Sequence, residues 1–299
     1  MKTHCLLPPY SLARLIQLPL LACILAAAPA HAAAPPKVYR FTSTAANTSD
    51  AYMTLDHPAF NGKPTNRLIV TQYSTGVTNP RPVGVRYNHN FKKWNIFNED
   101  FEDIPVGASF NVMIAPAAKP TSVTPQNVDA GLAFFTIQKN NPAANLLTTH
   151  MSNPIATLNG VGQPNNIGLF FIPANARPAP VGGRWAIFQE NGEAHVAAVH
   201  NILDATNLKV ANTAITFRHT ANAENTTDGE TVITNALTDQ KPDAVLFVQH
   251  LFTTGATKNV DETLGVRYTD GKWRIFSQDG DDLPVTTAYV VVAFPAVTP

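Results

Sequence analysis

The residues of this 299-residue chain best equipped for chemistry are its histidines and two acidic clusters. Imidazole serves as a general base or a metal ligand near neutral pH. His150 and His250 close two similar apolar runs, Leu146 to His150 and Val245 to His250, and in a third such run Tyr73 takes that place. A tyrosine standing in for histidine reads as a polar-tipped packing residue. His195 and His200 lie five positions apart, an offset that puts side chains on opposite faces of a strand, so chelation there would need a bulge. The clusters at 98–103 (Asn-Glu-Asp-Phe-Glu-Asp) and 277–282 (Ser-Gln-Asp-Gly-Asp-Asp) are oxygen-rich, as calcium prefers, yet lack EF-hand spacing. Solvated turns are the plainer reading. No nucleophile elbow, Walker loop or dinucleotide fingerprint occurs, so no catalytic residue, metal ligand or cofactor is expected.

The elements that would position such groups are announced by the tryptophans. All three open one tetrapeptide: Trp94-Asn95-Ile96-Phe97, Trp185-Ala186-Ile187-Phe188 and Trp273-Arg274-Ile275-Phe276, spaced 91 and 88 residues apart. Upstream come Gly84-Val85-Arg86-Tyr87, Gly168-Leu169-Phe170-Phe171 and Gly265-Val266-Arg267-Tyr268. The chain is therefore a threefold tandem repeat. Exposed tryptophans could stack on sugars, but each sits in the most regular apolar stretch of its unit. Trp94, Phe97, Trp185, Phe188, Trp273 and Phe276 are thus expected to be core.

The matched blocks are short, rich in Val, Ile, Phe, Tyr and Thr, and bounded by Gly, Pro, Asn and Asp, which predicts strands and turns throughout. Asp270-Gly271 between two such runs predicts a type I′ hairpin. The expected fold is all-β: three small antiparallel domains in tandem, sandwich- or barrel-like, at residues 38–116, 126–208 and 214–295, with a Pro-rich joint around 115–125. One larger body sharing strands among the units is the alternative.

Residues 1–32 predict a signal peptide: Lys2 and Arg14 lead an apolar stretch that ends at the small-x-small site Ala30-His31-Ala32. Lipid anchoring at Cys23, after Leu20-Leu21-Ala22, is a second possibility. The apolar run is too short to span a bilayer, and no transmembrane segment is expected in the mature chain. Cleavage removes both cysteines, leaving no disulfide and no thiolate chemistry. It leaves 19 Lys and Arg against 21 Asp and Glu, about −2, which provides no basic field for nucleic acid.

Unit one carries Pro82 to Tyr87, then Trp94-Asn95-Ile96-Phe97-Asn98-Glu99-Asp100, then Pro105-Val106-Gly107-Ala108-Ser109-Phe110-Asn111-Val112. This pattern resembles an uncharacterised repeat family of secreted, mainly bacterial proteins, a domain of unknown function. Units two and three depart from it at Gln189-Glu190-Asn191, Ser277-Gln278-Asp279 and His195. The resemblance implies export and repeat architecture and supplies no activity.

The expected function is a non-enzymatic secreted, periplasmic or cell-surface protein with a binding, adhesive or structural role. Its ligand would be extracellular or on a surface, a glycan among the candidates. A secreted hydrolase or a calcium-stabilised modular protein are the alternatives. Loops carry function more often than repeated scaffold does. The long Pro-bearing hairpin tip of unit two, with Asn175, Arg177 and Arg184, is therefore the candidate partner-contact loop.

Overall fold

The computed structural model describes residues 34–123, 128–129, 131–152, 162–174, 182–195, 198–206, 208, 214–253 and 255–298. The signal-peptide reading falls outside them. Unit one contributes β1 (Lys37–Thr42), β2 (Thr48–Ser49), β3 (Tyr52–Leu55), β4 (Leu68–Tyr73), β5 (Val83–Asn88), β6 (Lys93–Asn98) and β7 (Ser109–Ile114). Unit two contributes β8 (Lys119–Val123), β9 (Val128–Asp129), β10 (Leu132–Phe135), β11 (Leu146–Ser152), β12 (Ile167–Ile172), β13 (Arg184–Gln189) and β14 (Ala198–Asp204). Unit three contributes β15 (Ile215–Thr220), β16 (Thr226–Thr227), β17 (Glu230–Ile233), β18 (Val245–Phe252), β19 (Leu264–Thr269), β20 (Lys272–Ser277) and β21 (Ala288–Phe294). The chain is all-β, and the three tandem units repeat one strand order. Among the described residues there is no helix long and apolar enough to cross a membrane. The joint read at 115–125 contains β8, unit two's counterpart of β1 and β15, so unit two begins ahead of residue 126.

Each unit divides its strands between two sheets. Its second, third, fifth and sixth strands form one antiparallel half, and its first, fourth and seventh the other. Among the described residues three seven-stranded sheets result: β2-β3-β6-β5-β11-β14-β8, β9-β10-β13-β12-β18-β21-β15 and β16-β17-β20-β19-β4-β7-β1. Every sheet joins halves of two different units through a parallel pair, β5 with β11, β12 with β18, and β19 with β4. The sharing is cyclic, with unit three closing onto unit one. The sheets are therefore mixed rather than purely antiparallel, and residues 33–299 form one body. Cyclic pairing also covers strands β5, β12 and β19, which in separate units would be open sheet edges.

Side chains tie the seams. The Asn111 amide donates to Leu246 O at 3.0 Å, and the Asn201 amide to Leu68 O at 3.1 Å. Arg40 reaches Ala244 O in unit three, and Arg218, its counterpart in unit three, reaches Ala144 O in unit two. Near the C-terminus, Thr298 exchanges two hydrogen bonds with Val38 of β1.

Within each unit the tryptophan anchors the core. Trp94, Trp185 and Trp273 are at most 1% exposed, and each indole N–H donates to a turn carbonyl, of Lys63, Asn141 and Lys241, at 2.9, 3.0 and 2.9 Å. Phe97 and Phe276 are buried and Phe188 half-buried. Alternation puts all three on the opposite face of their strands, outside the apolar clusters the tryptophans anchor, so the core reading holds for the tryptophans and not for them. Asp270 and Gly271 have φ of 52° and 76°, the left-handed pair a type I′ turn requires, and they set Tyr268 opposite Trp273 with ring centroids 5.6 Å apart.

Candidate functional site

The parallel seams fix which residues correspond between units. Tyr73, Met151 and Leu251 pair with Val266, Val85 and Leu169, each the second residue of its unit's repeated block (Gly-Val-Arg-Tyr in units one and three, Gly-Leu-Phe-Phe in unit two). One position earlier lie Gln72, His150 and His250. The counterpart of the two histidines is thus Gln72, and Tyr73 belongs one place further on; the longer run of β18 hides this shift in the sequence. Opposite these residues stand Glu99, Glu190 and Gln278, each five positions after its tryptophan.

His150 Nδ1 lies 2.6 Å from Glu99 Oε1, and His250 Nδ1 bonds Glu190 Oε1. The second carboxylate oxygens accept backbone N–H groups, Gln163 to Glu99 at 2.8 Å and Val260 to Glu190 at 3.0 Å. In the third copy Gln278 Oε1 accepts the Asn79 N–H at 3.2 Å, while the Gln72 amide donates to Arg81 O. Burial pushes the Glu190 carboxyl above the usual range, opposed by its bond to His250.

This arrangement accounts for the glycine of the repeated block. A Cβ at Gly84 would stand 2.0 Å from Glu99 Oε1, one at Gly168 2.2 Å from Glu190 Oε1, and one at Gly265 2.2 Å from Gln278 Nε2. Glu99 therefore belongs to the interior rather than to a solvated acidic turn. Nearby Asp100 pairs with Arg81 at 3.2 Å.

The two histidine–glutamate pairs flank a cavity of about 120 Å³, also lined by Gln72, Gln163 and Glu262. A carboxylate–imidazole pair can orient a general base or a metal ligand. Here both carboxylate oxygens are committed in each pair, and all four side chains are at most 5% exposed. Among the described residues no three His, Cys, Asp or Glu side chains are placed to hold a metal ion.

His195 and His200 do meet, with ring centroids 6.1 Å apart, and His200 lies 5.4 Å from His150. The opposite-face argument fails because His195 precedes β14 and so escapes its alternation. Both rings are buried, and among the described residues neither nitrogen of His200 has a hydrogen-bond partner. Burial holds His195 down to about 4 and His200 well below its ordinary value.

Of the candidate loop, Asn175 and Arg177 lie outside the described residues. Arg184 opens β13, half-buried, opposite Ile172.

A groove of about 530 Å³ lies over the β2-β3-β6-β5 half-sheet of unit one. Alternation sends Tyr52, Thr54, Asn95 and Arg86 to one face, and Thr54–Asn95–Arg86 form a row across three strands. The Arg86 guanidinium lies 4.6 Å over the Tyr52 ring, and among the described residues its buried Nε has no partner. Asn88 Oδ1 accepts the N–H groups of Asn90 and Phe91, fixing the β5–β6 tip with the Phe91 ring 74% exposed at the rim. Lys93 and Asp56 neutralise each other at 2.6 Å, and exposed Asp50 stands on the β2–β3 turn.

The same face carries different residues in the other units. Unit two has an apolar cluster of Phe134, Ile172 and Ala186, joined by Leu132 and Phe170. In unit three Glu230 lies in the Tyr52 position, bonded to Arg267 Nε at 2.9 Å and 3.1 Å from Arg274 Nε. Sequence reading passed over the groove because it looked for function in the longest tip, whereas the distinguishing residues are Tyr52 and Arg86 within strands. Lining the units up by register exposes the difference, Tyr/Arg against Leu/Phe and Glu/Arg.

No curated protein matches the chain. Residues 29–114, 92–177 and 179–293 each match a domain of unknown function, DUF7452. Three such matches in tandem cover nearly all of the chain, which belongs to the DUF7452 repeat family.

Proposed function

We propose that this chain is a non-enzymatic exported protein, secreted or held at the cell surface, that binds an extracellular or surface glycan through the groove of unit one in an adhesive or structural role. The observation that carries this reading is the groove itself, lined by Tyr52 and an Arg86 unpaired among the described residues, where its siblings carry an apolar cluster or an internal Glu230–Arg267 pair. Planar amides, hydroxyls and an exposed aromatic ring suit the hydroxyls and apolar faces of sugars. The central pairs support a scaffold role rather than catalysis, since Gln72 and Gln278 replace them in the third copy with the same backbone capping. Chain 33–299 should be retarded in gels containing at least one of galactan, polygalacturonate, alginate, dextran or chitosan, and should leave that polymer's length unchanged. Thr54→Trp, which fills the groove, should abolish the retardation. Shortening of the polymer would make the protein a hydrolase instead, and retardation unaffected by Thr54→Trp would remove the groove.

Export rests on the Ala30-His31-Ala32 site. Intact mass of the exported protein should correspond to a chain beginning at Ala33. A lipid-modified chain beginning at Cys23 would overturn cleavage at Ala32 and establish the anchored form.

A further inference from the structure

From the comparison of equivalent positions we infer that the unit-one groove selects acidic saccharides, with Arg86 receiving a sugar carboxylate. This rests on the groove being the ligand site.

Arg86 and Arg267 occupy the same place in units one and three, opposite Asn95 and Arg274 respectively. Arg267 is neutralised within the protein by Glu230. Tyr52 replaces that glutamate in unit one, so Arg86 has lost its carboxylate; its guanidinium lies 4.6 Å over the Tyr52 ring, as that of Arg267 lies 4.8 Å over Phe276. Among the described residues its side chain makes no hydrogen bond or ion pair, while the other basic residue of the groove, Lys93, is paired with Asp56.

A guanidinium over a ring is restrained in orientation, and with the Arg86 Nε buried its terminal Nη groups are the ones left to meet a planar two-oxygen acceptor. The ligand then supplies what Glu230 supplies in the sibling, which is a carboxylate. Around it the chemistry is that of hydroxyl recognition. Thr54 and Asn95 stand beside Arg86, bonded to each other at 3.0 Å, with Thr48 and Asn88 further along the groove. Phe91 offers an apolar face at the rim for the C–H side of a pyranose. A saccharide carrying a carboxylate, as a uronic acid does, satisfies all three features together. An acidic peptide would use Arg86 but has no ring hydroxyls for the amide and hydroxyl row.

Calorimetric titration of chain 33–299 with a galacturonate trisaccharide, against a galactose trisaccharide, tests the assignment. The acidic sugar should bind at least tenfold more tightly, with a preference that shrinks as salt is raised. Arg86→Gln should abolish the preference and Arg86→Lys retain part of it. Tyr52→Glu, which rebuilds the internal pair of unit three, should also abolish it by occupying Arg86 from within. Circular dichroism and melting of each variant should match the parent, and a variant that melts early is replaced in the comparison by the reciprocal unit-three change, Glu230→Tyr, which should create a second acidic-sugar site. Equal binding of both sugars, unaffected by Arg86→Gln but blocked by Thr54→Trp, would overturn the carboxylate assignment and leave the groove as a neutral-glycan site. Equal binding of a glutamate-rich peptide would overturn the saccharide class. Failure of every sugar and polymer to respond to Thr54→Trp would overturn both this inference and the binding reading beneath it.

Discussion

Trp273→Ala should lower the melting temperature of the whole body in one cooperative step, by on the order of 10 °C. The indole is fully buried among Ile233, Val266, Ile275 and Leu283, so truncation removes apolar burial, leaves a cavity and strands the Lys241 carbonyl that its N–H satisfies. Such losses cost roughly 3–5 kcal/mol against a typical total of about 5–15. Three separate domains in series would predict that unit three melts early beside intact siblings. The shared sheets predict otherwise: β19, which faces the tryptophan strand, is also the seam with β4 of unit one, and Tyr73 of β4 packs 5.8 Å from the Trp273 ring. Unfolding unit three opens a sheet edge in unit one and another in unit two. Scanning calorimetry of the variant beside the parent decides the matter. Two resolved transitions would show that the units fold separately, and an unchanged profile would remove Trp273 from the core.

Much of this architecture was legible in the residues because repetition writes the same instruction three times. The tryptophan tetrapeptides, the Gly-Val-x-Tyr blocks and Asp270-Gly271 gave strands, a hairpin and the facing of Trp273, all of which depend on local alternation and turn chemistry. What alternation cannot reveal is which unit a strand pairs with. Fourth strands such as β4 are apolar on both faces, and that pattern fits a self-contained domain as well as a seam between two. Likewise Glu99 sits in an acidic stretch whose composition reads as solvent-facing. Its burial follows from a long-range partner, His150 of unit two, and from a glycine that makes room for it. The one-residue offset between Tyr73 and His150 shows the same limit: blocks aligned by apolar content can slip by one, and only hydrogen-bonded register fixes which side chains share a face.

Acidification should destabilise the protein from about pH 6.5 downward, beginning above the ordinary carboxylate range. His195 and His219 are held down to about 4, and His200 well below its ordinary value, in each case chiefly by burial. In the unfolded chain these rings take up protons near 6.5. Between 6.5 and about 4 the unfolded state therefore binds more protons than the folded one, so stability is complete above that window and falls as pH descends through it. A drop from 6.5 to about 4 corresponds to roughly 3 kcal/mol for each of His195 and His219. His200 adds in the same direction, facing His150 and His195, with Glu99 beyond His150 as the nearest carboxylate of that chain of contacts. The sibling units show how to remove its contribution, because Phe110 and Tyr289 occupy the place of His200 in register. His200→Phe should raise the melting temperature at pH 5 by more than it does at pH 8. An equal change at both values would show that the ring is already exposed to protons in the folded state, and that its burial is not what makes the fold acid-sensitive.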